Sequence, residues 1–182
     1  SKTRLRRLQP WVESLTLPDM FAGVEGKGAE DAAYATALLV EWCDLTKTEF
    51  SGGSADMYKC FEQIVRPLLQ KVLELAGMPK EILRAYMAFI DNLVVRNTVA
   101  GGLGEEYTKK NGIPQGDPMS MAVIALLMRA WIMEMKHYAV QPRLLADDLQ
   151  IISTGERHLK NFQYAYDKTH LHLEKMGGSC TP

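Results

Sequence analysis

Two adjacent carboxylates, Asp147 and Asp148, stand between apolar segments, with Leu144-Leu145-Ala146 before them and Leu149-Gln150-Ile151-Ile152 after. Short apolar runs around turn formers predict a β-hairpin over Arg143–Ser153. Carboxylates at such a place repel each other and lose hydration unless a positive charge sits between them. A divalent cation supplies that charge, and oxygen-only ligands point to Mg²⁺ or Mn²⁺. The plain alternative is a solvated hairpin tip, where Asp is simply a good turn former. Asp56 adds a third carboxylate. It follows a strand-like stretch, Glu49–Ala55, that Gly52-Gly53 weakens, and it directly precedes a helical pattern. Alone it reads as a helix cap. Beside the hairpin pair it would complete a two-metal site, which activates a hydroxyl nucleophile and steadies a leaving pyrophosphate.

The rest of the chain is mostly helical. Ala29–Thr46 has Ala32, Ala35, Leu39 and Trp42 at helical spacing. Tyr58–Ala76 has Ile64, Leu68, Val72 and Leu75 on one face, with Pro67 bending or interrupting it. Gly77 closes that helix, and Pro79 starts another running to about Arg96. Asn97–Asn111, with Gly101, Gly102 and Gly104, predicts a short hairpin. Asp117-Pro118 reads as a cap and first-turn proline opening a helix to about Lys136. A last helix spans about Glu156–Met176. Helices mixed with a few strands predict an α+β fold whose sheet is covered by helices on one side.

Composition sets limits. The chain has 182 residues, 47% of them hydrophobic, enough for one sizeable core. A formal charge of −1 argues mildly against a nucleic-acid binder, although Lys2, Arg4, Arg6 and Arg7 cluster at the start. Cys43, Cys60 and Cys180 lack metal-ligand spacing, and an odd count suits reduced thiols and an intracellular setting. The longest apolar run, Met119–Met128, is far short of a membrane span, so no membrane partner is expected. The spacing of His137, His158, His170 and His172 fits no helical metal pair. The methionines from 119 to 135 read as packing residues.

Gly112-Ile113-Pro114-Gln115-Gly116-Asp117-Pro118 is a loop whose glycines permit close backbone approach to a ligand, opening a helix with an anion-favouring end. An ordinary glycine-rich helix start has the same look. With its flanks, however, the segment resembles the reverse-transcriptase family, most closely the non-long-terminal-repeat retrotransposon enzymes. The resemblance runs through nearly the whole chain in order. Met20–Gly23 through Gly26–Ala32 resembles the fingers motif. Ser54-Ala55-Asp56-Met57-Tyr58-Lys59-Cys60-Phe61-Glu62 resembles the motif of the first catalytic aspartate. Asn111–Met121 resembles the loop-and-helix motif, and Leu145-Ala146-Asp147-Asp148 the metal-binding hairpin.

The resemblance implies a right-hand polymerase palm, a small antiparallel sheet packed on helices, with helical fingers and without a thumb. Residues 1–182 would form one domain fragment, fingers at about 1–48 and 77–110 and palm at about 49–76 and 111–182. It implies RNA-directed DNA polymerisation with two Mg²⁺ ions, Mn²⁺ as a substitute, and Asp56, Asp147 and Asp148 as catalytic ligands. Phe61 would be the steric gate against a 2′-hydroxyl. Gln115 and Gly116 would line the nucleotide and template pocket, and Lys27 would be a basic fingers residue, with an exposed solvated lysine as the plain alternative. Partners would be an RNA or DNA template with primer, dNTPs, and the thumb and flanking domains of a parent protein. Leu145 departs from the pattern, standing where an aromatic residue is usual, as do Cys60 for alanine and Glu62 for aspartate. An RNA-dependent RNA polymerase shares the palm, but Phe61 argues against one. A catalytically inactive fragment or scaffold is the other alternative.

Overall fold

The computed structural model describes residues 2–177. Cys180 and the side chains of Lys2 and Arg4 lie outside what is described. In chain order the elements are α1 (Lys2–Leu15), α2 (Ala29–Thr46), β1 (Phe50–Asp56), α3 (Cys60–Gln63), α4 (Arg66–Leu75), α5 (Lys80–Asp91), β2 (Val94–Val99), β3 (Gly102–Thr108), α6 (Pro118–Met135), β4 (Gln141–Leu145), β5 (Asp148–Thr154) and α7 (His158–Lys175). The α+β class expected from the sequence is what the chain adopts.

The main sheet is antiparallel in the order β1-β5-β4. Along β5 the side chains alternate between faces, so Leu149 and Ile151 point one way and Asp148 and Gln150 the other. The Leu149 face is buried against α6 and α7 in the principal core, which is centred on Met128, Trp131 and Ile132. Trp131 donates its indole N–H to the buried Thr169 hydroxyl at 2.9 Å, tying α6 to α7. The opposite face is not bare, contrary to the one-sided cover expected. Thr36 of α2 donates to Gln150 at 2.7 Å, and Arg143 of β4 donates to the carbonyl of Ala35 at 3.2 Å. On the free edge of β4, Met20 forms a parallel bridge to Leu144, and Phe21 donates its amide to the Leu144 carbonyl at 2.8 Å.

Gly52 and Gly53 are strand residues rather than a weak point. A β-carbon at Gly53 would stand 3.0 Å from the Phe162 ring of α7, so glycine lets that helix sit close on β1. Other expectations need correcting. The Tyr58–Ala76 helix is interrupted at Ile64-Val65, as Pro67 leads one to expect, and Pro67 occupies the first turn of α4, where its missing amide costs nothing; what needs correcting there is the face. Its buried face is Leu69 and Leu73, while Leu75 is 77% exposed. Helix α5 stops at Asp91, not Arg96, since Val94 and Val95 enter a β-ribbon. On α2 the buried residue is Cys43, and Trp42 is 50% exposed. Asp117 stands at the N-cap of α6 but makes no side-chain capping bond; only its backbone carbonyl accepts, from Ser120 at 2.9 Å. Helix α1 matches no pattern picked out in the sequence; its Leu8 and Val12 are buried and its Trp11 donates to the Ala76 carbonyl at 2.7 Å. Helix α6 exceeds the apolar run seen in sequence and is long and apolar enough to cross a membrane, yet 67% of it is buried inside the protein as the core helix.

Candidate active site

Asp56 is the last residue of β1 and pairs with Asp148, the first of β5. Cross-strand partners have Cα atoms about 4.5–5.5 Å apart, which puts both carboxylates on one face at one end of the sheet. Asp147 occupies the turn beside them, where its carbonyl accepts the Met57 amide at 3.3 Å. Ala146, the other turn residue, has a positive φ of 57°, which a non-glycine residue adopts only where the surrounding structure enforces it. The β1–β5 pairing therefore brings Asp56 beside the Asp147-Asp148 turn from a distant part of the sequence.

Their electrostatics agree. The Asp148 pKa is raised, first by desolvation and then by the charges of Asp147 and Asp56. The buried Cys60 thiol on the next turn is pushed up to about 12, by burial and by the same two neighbours, Asp147 and Asp56. Clustered oxygen donors are the ligand type a divalent cation such as Mg²⁺ takes. As the side chains stand, no group of three His, Cys, Asp or Glu among the described residues is drawn together as a closed cage.

A cleft of about 600 Å³ opens beside Asp148, between α2 and the exposed sheet face. Ala29, Ala32, Ala33 and Thr36 form one wall and Ser54, Arg143, Leu145 and Gln150 the other. Leu145, where the resemblance leads one to expect an aromatic residue, lines this cleft.

Phe61 and Gln115 meet at a second cavity, of about 190 Å³, whose walls include Arg66, Val95, Lys109 and Ile113. Phe61 is half-buried on α3, five residues past Asp56, and its carbonyl accepts the Ile113 amide at 2.7 Å. Gly112 has φ +82°, and a β-carbon there would lie 2.7 Å from the Phe61 carbonyl oxygen, so only glycine lets the loop lie this close. Gly116 adjoins Gln115, exposed and with positive φ. Lys27 is not part of this cavity. Its ammonium donates to the Pro18 carbonyl at 2.6 Å and lies over the Phe21 ring.

Sequence reasoning passed over Arg66 and Arg143, both buried. Each is a cation set among apolar residues, as in Ile64-Val65-Arg66-Pro67-Leu68, and that is the signal that marks them.

The sequence model of the reverse transcriptase (RNA-dependent DNA polymerase) family matches residues 2–177. The chain belongs to that family. Comparison with curated proteins gives no match. Among solved structures, the apo telomerase of Candida tropicalis truncated from its C-terminal domain is similar at TM-score 0.71 and 14% identity, over 98% of this chain and 39% of that one. Telomerase from Candida albicans, in complex with a TWJ fragment of telomeric RNA, is similar at TM-score 0.69 and 16% identity, over 96% of this chain and 32% of that one. At such identity the likeness is one of fold, that of the palm and fingers. The chain spans between about a third and two fifths of those proteins' length.

Proposed function

We propose that this chain is the fingers-and-palm part of an RNA-directed DNA polymerase of a retroelement, joining deoxynucleotides to a primer on an RNA or DNA template. The observation that carries the reading is the pairing of Asp56 with Asp148, with Asp147 in the turn beside them. Asp56 and Asp147 would hold Mg²⁺, with Asp148 completing the charge. Two such ions, when bound, would supply the charge that steadies attack of the primer 3′-hydroxyl on the α-phosphate and departure of pyrophosphate. Phe61 excludes a ribose 2′-hydroxyl, and Gln115 and Gly116 face the nucleotide and template. Residues of about 1–48 and 77–110 serve as fingers, the remainder as palm. The thumb and flanking domains of a longer parent supply further phosphate contacts, which a chain of net charge −1 has few of.

The test is primer extension on an RNA template, with dNTPs and rNTPs, by this chain and by the longer parent. Extension with dNTPs that stops when Mg²⁺ is chelated is expected, and Phe61→Ala should admit rNTPs. Dependence on rNTPs alone would turn the reading to an RNA-dependent RNA polymerase. One observation favours a second reading, a catalytically silent scaffold: the three carboxylates do not form a closed cage as they stand. Absence of extension by the longer parent would select it.

A further inference from the structure

We propose that Arg66 is a positioning residue for nucleotide selection, clamping the Asn111–Gln115 loop to the turn that carries Phe61 so that both face the nucleotide as one block. The inference rests on the polymerase reading above. Arg66 is 7% exposed, at the start of α4. Its Nε donates to the Gly112 carbonyl at 2.9 Å, its Nη2 to the Asn111 carbonyl at 3.5 Å, and its Nη1 pairs with the Asp91 carboxylate of α5 at 3.1 Å. One guanidinium thus joins α4, α5 and the loop.

Burying a guanidinium costs desolvation, and an apolar residue of similar volume would pack at least as well. Stability is therefore a poor reason for an arginine at this place; a planar fork that fixes two successive carbonyls is a better one. The loop continues the same geometry. The Gly112 amide donates to the Ile64 carbonyl at 2.8 Å, and the Ile113 amide to that of Phe61 at 2.7 Å. The proposed gate and the loop leading to Gln115 are therefore directly bonded, and Arg66 sets the register of that bond. A lysine keeps the charge but, as a point donor, cannot hold both carbonyls and Asp91 together.

The experiment compares wild type with Arg66→Lys and Asp91→Asn, by amide hydrogen exchange and by single-nucleotide incorporation on primer–template. In Arg66→Lys the Gly112 and Ile113 amides should exchange about tenfold faster, while those of β4 and β5 stay unchanged. The dNTP KM should rise about tenfold with kcat held within about threefold, and preference for dNTP over rNTP should fall. Asp91→Asn leaves the arginine in place and should move both readouts the same way by less. Unchanged loop exchange, or exchange raised equally through the whole chain, would overturn the clamp. So would a loss confined to kcat. A wild-type protein that incorporates nothing would overturn the polymerase reading and with it the role in nucleotide selection, while the exchange data would still decide whether Arg66 fixes the loop.

Discussion

The chain contains two antiparallel hairpins of similar size that live in opposite surroundings. In β4–β5 the strands carry Leu144, Leu149 and Ile151, all buried on α6 and α7, and β1 adds a third strand. In β2–β3 both strands are mostly exposed, with Val99 at 74% and Leu103 at 69%, and among the described residues no further strand joins them. That ribbon depends on side-chain pairs, Arg96 with Glu106 and Tyr107 with Asn97, and its register shifts between Arg96 and Thr98. An isolated two-stranded hairpin is marginal in water, so the ribbon is the softer element. The turn does not make the difference; the packed face does. Carboxylates mounted on β5 inherit fixed positions from the core, whereas residues on β2–β3 inherit only their local pairing.

The largest effect should come from the rigid hairpin. Asp147→Asn is expected to lower primer extension at least about 10³-fold while leaving the fold intact, as for loss of a group that stabilises transition-state charge. Retention of extension within a few-fold would remove the hairpin from the chemistry.

Packing beneath that hairpin comes next. Gly53→Val would push a side chain into the Phe162 ring and should destabilise by about 2 kcal/mol, read in a denaturant titration. A neutral outcome would mean that α7 does not press on β1 as closely as described.

The charge at the sheet end gives a smaller shift. Asp148 has a raised pKa in the fold, so the fold holds that proton more tightly than the unfolded chain does, and its ionisation at neutral pH works against the fold. Asp148→Asn should therefore raise the metal-free Tm. Mg²⁺ at ten times its Kd should stabilise the wild type by about 1.4 kcal/mol, and the variant by less. An equal response of both proteins would place Mg²⁺ elsewhere. The smallest effect belongs to the exposed ribbon, where Leu103→Thr should change stability by no more than about 0.5 kcal/mol.

The same contrast explains what could be read from sequence. The β4–β5 hairpin was legible because apolar runs flank charges that a buried sheet tolerates only with a purpose, whereas the strand before Asp56 was only half legible, since Gly52-Gly53 masks it. Helix α2 was legible end to end, since Ala32, Ala35 and Leu39 recur at helical spacing along it. The start of β2 was not, because Leu93-Val94-Val95 continues the periodicity of α5 and only tertiary surroundings decide where it breaks. Trp42 shares the helical spacing of α2 yet is exposed, for a related reason: spacing finds a helix face but not which face the sheet covers. Arg66 was missed because its role lies in backbone carbonyls 45 and 46 residues away, which no local pattern encodes.

The central claim is that Asp56, Asp147 and Asp148 form one metal site. The most direct measurement is anomalous diffraction from crystals of the chain grown with Mn²⁺ and a dNTP. The account predicts two Mn²⁺ peaks about 3.5–4 Å apart, held by Asp56 and Asp147 with Asp148 alongside. Mn²⁺ bound only at other carboxylates, with none at the β1–β5 sheet end, would contradict it.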